Sequence, residues 1–138
     1  MKQAAGINYV EAGEGAIPIV CLHGIGGDSS SFEPQLAELS KHYRAISWNM
    51  SGYGGSKPIE APTFIKLATK LCQFLNALNI ETAHLCGQSI GGMVALETAC
   101  LFPERVASLA LIGTTAAFGG RDDSFKEKFV AARLKPLD

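Results

Sequence analysis

Histidine is scarce in this chain of 138 residues, and its placement matters more than its number. The three lie at positions 23, 42 and 84, and none follows. Chemistry that needs an imidazole base late in the sequence cannot draw it from this chain. Long apolar runs are also absent. Hydrophobic residues make up 47% of the chain, enough for a globular core, yet no run approaches the roughly 18 residues of a membrane span. Residues 1–6 lack the charged-then-apolar order of an export leader. Excess charge is missing too: the net charge is −1. Nucleic acid and membrane surfaces are therefore not expected partners. Four cysteines stand at 21, 72, 86 and 100, none in a C-x-x-C spacing, which argues against zinc and thioredoxin-like sites. All four are read as buried apolar fillers in a reducing, cytoplasmic compartment. No internal repeat and no low-complexity linker is present.

What is there is an alternation of short apolar runs and amphipathic stretches. Residues 7–11 read as a strand ended by Gly13-Glu14-Gly15. Residues 17–22 form a continuous apolar run, the mark of a strand buried on both faces. Residues 34–43 read as a helix, 44–48 as a strand, and 49–58 as a loop with three glycines. The clearest helix spans 62–78, where Phe64, Leu67, Ala68, Leu71, Leu75 and Leu78 share one face. A strand follows at 82–86, then a helix at 90–102 stopped by Pro103, then a strand at 107–112. A last helix is expected from Ser124, where Glu127 completes a capping box. Repeated strand–helix alternation predicts an α/β fold: a parallel sheet with helices on both faces.

Gly87-Gln88-Ser89-Ile90-Gly91 is the most informative motif. A G-x-S-x-G between a strand and a helix reads as a nucleophile elbow, a tight turn that lifts one serine hydroxyl above the sheet edge. The glycines on either side admit the turn, and the helix start beyond it favours negative charge. Ser89 is the candidate nucleophile, and a neutral serine needs a base to take its proton. An earlier loop, His23-Gly24-Ile25-Gly26-Gly27, is the candidate oxyanion segment. The expected donors are the backbone N–H groups of Ile25 and Ile90, and one such donor is worth about 2.7–4 kcal/mol in a reacting site. His23 tempts as a base, but it precedes the serine at a strand end and is expected to brace the loop. His84 is expected to be a packed core residue and His42 a solvated one.

Other readings are weaker. Gly24 and Gly26 match a dinucleotide fingerprint, but Ser29 takes the third glycine position and the next strand ends at Trp48-Asn49, without an acid. Asp122 and Asp123 read as charges at a helix start in preference to a triad acid. Met50 and Phe118 are candidate pocket residues, though plain packing explains both.

Together, His23-Gly24-Ile25-Gly26, the loop Trp48-Asn49-Met50-Ser51-Gly52-Tyr53-Gly54-Gly55-Ser56, the elbow Gly87-Gln88-Ser89-Ile90-Gly91-Gly92 and the segment Phe102-Pro103-Glu104-Arg105-Val106 resemble the α/β-hydrolase fold superfamily. The resemblance is nearest to 3-oxoadipate enol-lactonase-like and meta-cleavage-product hydrolases. It implies a serine hydrolase of an ester, lactone or related small acyl substrate, without a cofactor or metal. Two positions depart from the pattern: Asn49 stands where the family usually has Asp, and Ser51 where it often has Pro. In this fold the triad runs serine, acid, histidine, and the last two are not found after Ser89. The resemblance therefore covers the N-terminal half of the fold, with residues 1–120 as core and 121–138 as the start of a lid helix. The strand at 107–112 would then expose an open edge suited to self-association. A non-catalytic homologue that binds a ligand or partner through that edge, or a truncated product without a function of its own, are the rival expectations.

Overall fold

The computed structural model describes residues 1–116 together with Glu127, Ala131 and Ala132. The described strands are β1 (Lys2–Ala4), β2 (Ile7–Ala12), β3 (Ile19–Leu22), β4 (Ala45–Trp48), β5 (Ala83–Gln88) and β6 (Val106–Ile112). The described α-helices are α1 (Glu33–Leu39), α2 (Phe64–Ala77) and α3 (Ile90–Leu101). The strands form one sheet in the order β1-β2-β4-β3-β5-β6. β4, β3, β5 and β6 are parallel, while β1 and β2 run antiparallel at one edge. The α/β layout matches the sequence reading, with the sheet mixed at its N-terminal edge. β1 escaped that reading because Lys2-Gln3-Ala4 carries no apolar alternation. It is held instead by its ladder to β2 and by Lys2 Nζ on Glu11 at 2.8 Å.

Alternation along the strands sorts the core into two faces. Val20, Leu22, Ile46, Trp48 and Leu85 face Leu67, Leu71, Phe74 and Leu75 of α2 and Val94 and Ala95 of α3. Cys21 and Ala45 point the other way, toward Leu36 of α1 and Phe32, with Ile19, Leu39 and Cys86 beside them. Helix α2 begins two residues later than its periodicity suggests. Thr63 caps it, its hydroxyl accepting the Lys66 N–H at 3.1 Å. The shorter α1 is preceded by a 3-10 turn, Ser29–Phe32, capped by Asp28. The expected helix from Ser124, the lid-helix segment 121–138 and the residues Phe118, Asp122 and Asp123 lie outside the described residues, apart from Glu127, Ala131 and Ala132. The cysteines do not behave alike: Cys21 and Cys72 are buried, Cys86 is half-buried and Cys100 is exposed on α3, which corrects the expectation that all four fill the core. No described helix is long and apolar enough to cross a membrane.

Candidate active site

Ligands of open α/β sheets gather beyond the carboxyl ends of the parallel strands, and the residues singled out in the sequence meet there. β5 ends at Gln88 and α3 begins at Ile90, so Ser89 is the whole connection. It adopts φ 54° and ψ −120°, outside the helix and outside ordinary L-residue space. Such a conformation costs on the order of 1–3 kcal/mol and persists only where the surroundings hold it. Here the backbone is held on both sides. The Ser89 N–H donates to the Ile112 carbonyl at 2.9 Å, and the Ser89 carbonyl accepts from Gly92 N–H at 2.9 Å and from the Thr114 hydroxyl at 2.7 Å. The side chain makes no capping hydrogen bond, and the residue is exposed.

The helix can leave so sharply because Gly91 lacks a side chain. A Cβ there would overlap the Leu22 carbonyl oxygen and lie 2.6 Å from that of His23. Gly91 thus lets α3 sit against the end of β3, the strand that delivers the His23 loop. In that loop the Gly27 N–H closes on the Gly24 carbonyl at 3.1 Å. Gly26, at φ 77°, supplies the positive φ that a type II turn needs at its third residue. The turn leaves Ile25 exposed at its corner. Gly24 is the point of closest approach to the elbow: a Cβ on it would stand 3.1 Å from Ser89 Cβ and 3.8 Å from Ser89 Oγ. Ile90, as the first residue of α3, has an N–H without an intrahelical acceptor.

His23 is fully buried with both ring nitrogens engaged. Nε2 accepts the Met50 N–H at 3.0 Å, which leaves the proton on Nδ1, donated to the Gly24 carbonyl at 2.8 Å. The Tyr53 ring packs against it at 5.1 Å between centroids. Burial pushes its pKa down, with the Gly24 carbonyl and Asp28 opposing. A neutral imidazole with no free nitrogen has nothing to offer as a base. His84 lies five positions before Ser89 on β5, with Nδ1 and the Ser108 hydroxyl 2.6 Å apart, and His42 is exposed beside Tyr43.

A cavity of about 460 Å³ opens beside the elbow. Ile25 and Ile90 form part of its wall, with Met50, Tyr53, Phe64 and Leu67. Met50 thus lines the pocket, as its position in the loop after β4 allowed. Tyr53, Phe64 and Leu67 were not foreseen there. Phe64 and Leu67 stood out as core-facing, but that the first turn of α2 opens on the elbow is a tertiary fact. Asn49, at the family's usual Asp position, is buried and doubly tied: Oδ1 accepts Ser29 N–H at 2.9 Å and Nδ2 donates to the Asn8 carbonyl at 3.1 Å. A carboxylate could make only the first of these bonds. A second hollow, about 560 Å³, lies between Asn79–Thr82 and Glu104–Arg105, at the opposite ends of the strands. No group of three or more His, Cys, Asp or Glu suited to a metal occurs among the described residues.

Known proteins share this architecture. The family model described as alpha/beta hydrolase fold matches residues 17–134. The dihydrolipoyllysine-residue acetyltransferase component of the acetoin cleaving system from Cupriavidus necator is 32% identical over 136 residues, 95% of this chain and 36% of that protein. The 3-oxoadipate enol-lactonase 1 of Acinetobacter baylyi is 35% identical, covering 79% of this chain and 41% of its own length. Among solved structures, a meta-cleavage product hydrolase from Pseudomonas fluorescens superposes with a TM-score of 0.76 at 33% identity, over 87% of this chain and 45% of that one. The chain therefore spans less than half the length of these relatives. Fold, motif order and family match agree: the chain belongs to the alpha/beta hydrolase fold family.

Proposed function

We propose that this chain carries the nucleophile and the oxyanion donors of a serine hydrolase acting on an ester, lactone or related small acyl compound. The reading rests above all on Ser89, exposed at φ 54° between β5 and α3 and close beside Gly24. Its hydroxyl attacks the acyl carbon while a base accepts the proton. The carbonyl oxygen, turning negative, is held by the N–H groups of Ile25 and Ile90. His23 and Gly24 support that loop, and Gly26 supplies its turn. The base is an imidazole from outside this chain, because His23 is fully engaged and no histidine follows Ser89. No step calls for a cofactor. The apolar cavity beside Ile25 and Ile90 receives the acyl or leaving group.

Chemical rescue tests the reading. Hydrolysis of p-nitrophenyl esters is measured with and without imidazole in the buffer, for the chain and for Ser89→Ala. The expected result is near-background turnover without imidazole, and with it a saturable rise that Ser89→Ala lacks. Strong Ser89-dependent turnover in plain buffer would refute the external base. No Ser89-dependent rate in either condition would refute the nucleophile.

A second reading has one observation in its favour. Among the described strands β6 forms one edge of the sheet, and Leu109, Leu111 and Ile112 are 36%, 42% and 50% exposed. An apolar edge of this kind invites strand pairing, so a non-catalytic homologue could bind a second copy or another chain through it. Light scattering of the chain with and without the C-terminal half of a homologous hydrolase separates the two.

A further inference from the structure

Outside the elbow, two thiols stand directly opposite each other. Cys21 of β3 and Cys86 of β5 are register partners in a parallel ladder. Adjacent strands lie about 4.8 Å apart, inside the roughly 4.4–6.8 Å Cα separation of disulfides. Both side chains point to the α1 face, since their neighbours Val20, Leu22 and Leu85 belong to the opposite cluster. We infer that Cys86 and Cys21 form an oxidisable thiol pair that reacts with hydroperoxides and closes into a disulfide between β5 and β3.

The two sulfurs differ in the way such a pair requires. Cys86 is half-buried and lines a groove of about 370 Å³ with Ile19, Leu39, Tyr43, His84 and Ser108, so a small peroxide can reach it. Cys21 is fully buried beside it. The adjacent Cys21 thiol draws the Cys86 thiol below its ordinary range, against the opposing effect of burial. The Cys86 thiol beside it, together with burial, pushes the Cys21 thiol up. The thiolate is the reactive form of cysteine. Cys72, by contrast, is buried with its pKa raised by burial.

The chemistry balances with one hydroperoxide. The Cys86 thiolate attacks an oxygen, the O–O bond breaks, and Cys86 becomes a sulfenic acid while hydroxide or alkoxide leaves. Cys21 then gives up its proton and attacks the Cys86 sulfur. The S–S bond forms, the S–O bond breaks, and water departs. Two thiols are oxidised by two electrons and the peroxide is reduced. The bond would join the two strands just below the elbow, two residues before His23 and three before Ser89.

The inference is independent of the role given to Ser89, and its test reads no hydrolysis. The purified chain is treated with hydrogen peroxide, blocked with N-ethylmaleimide and mapped by non-reducing peptide mass spectrometry. A Cys21–Cys86 linked peptide that dithiothreitol reverses is expected. In Cys21→Ser, Cys86 should stop at a sulfenic acid that dimedone captures. In the untreated chain, iodoacetamide should label Cys86 about tenfold or more faster than Cys21. Should Cys21→Ser fail to fold by circular dichroism, the linkage map and labelling ratio of the unmodified chain still decide. Oxidation confined to exposed Cys100, with Cys21 and Cys86 still reduced, would overturn the inference, as would a link from Cys86 to any other cysteine.

Discussion

His23 shows how a residue conspicuous in sequence acquires its role from its partners. Its ring is buried and neutral, spanning the Met50 N–H and the Gly24 carbonyl. Burial lowers its pKa from an ordinary value of 6.5. The unfolded chain takes up a proton there near 6.5, whereas the folded chain does so only at lower pH. The stabilisation is therefore fully present above about pH 6.5 and is lost as pH falls through that value toward the lower folded pKa. Urea midpoints should decline in that window, and His23→Gln should lower the midpoint at neutral pH while flattening the decline. An unchanged slope in the variant would contradict this. Glu11 titrates separately: burial raises its pKa, but hydrogen bonds from Lys2 and Arg44 outweigh that and hold it below 4.5. Its loss belongs to more acid solutions.

At the scale of elements, the elbow depends on how closely α3 approaches β3. Gly91 is the contact point, and any side chain there meets the backbone oxygens of Leu22 and His23. Backbone cannot yield as a side-chain tip can. Gly91→Ala is therefore expected to cost at least the 1–3 kcal/mol or so typical of overpacking, read as a lower urea midpoint. It should also displace the Ser89–Gly24 approach and remove any imidazole-rescued esterase rate. A variant as stable as the parent would show that the helix is free to shift. The elements themselves were largely legible from sequence. The apolar face of α2 and the buried run of β3 follow from periodicity, because burial on one face or both leaves a repeat in the chain. β1 left no such trace: three residues with one half-buried side chain carry no period. Thr114, whose hydroxyl holds the Ser89 carbonyl, carried no signal either, because its partner is 25 positions away.

At the scale of the whole molecule, the described sheet has two edge strands, β1 on one side and β6 on the other. β1 carries a lysine and a glutamine at its edge, while β6 offers Leu109, Leu111 and Ile112. Charge on an edge strand discourages pairing and apolar surface encourages it. The chain is expected to self-associate with rising concentration in size-exclusion chromatography with light scattering. Leu111→Lys, at an exposed position, should shift the population toward monomer without lowering the urea midpoint. A parent chain that stays monomeric over the same range would remove the edge from consideration.

The sequence by itself determined the local order of this protein: which runs become strands, which faces of the helices are apolar, and that a serine stands between a strand and a helix. Those properties depend on residues within a few positions of one another, and periodicity records them. Only the tertiary structure decided that Ile25 and Ile90 wall one cavity, that His23 has no nitrogen to spare, and that Cys21 faces Cys86. Each of these joins segments far apart in the chain, and their proximity comes from strand order and register, which no local pattern encodes.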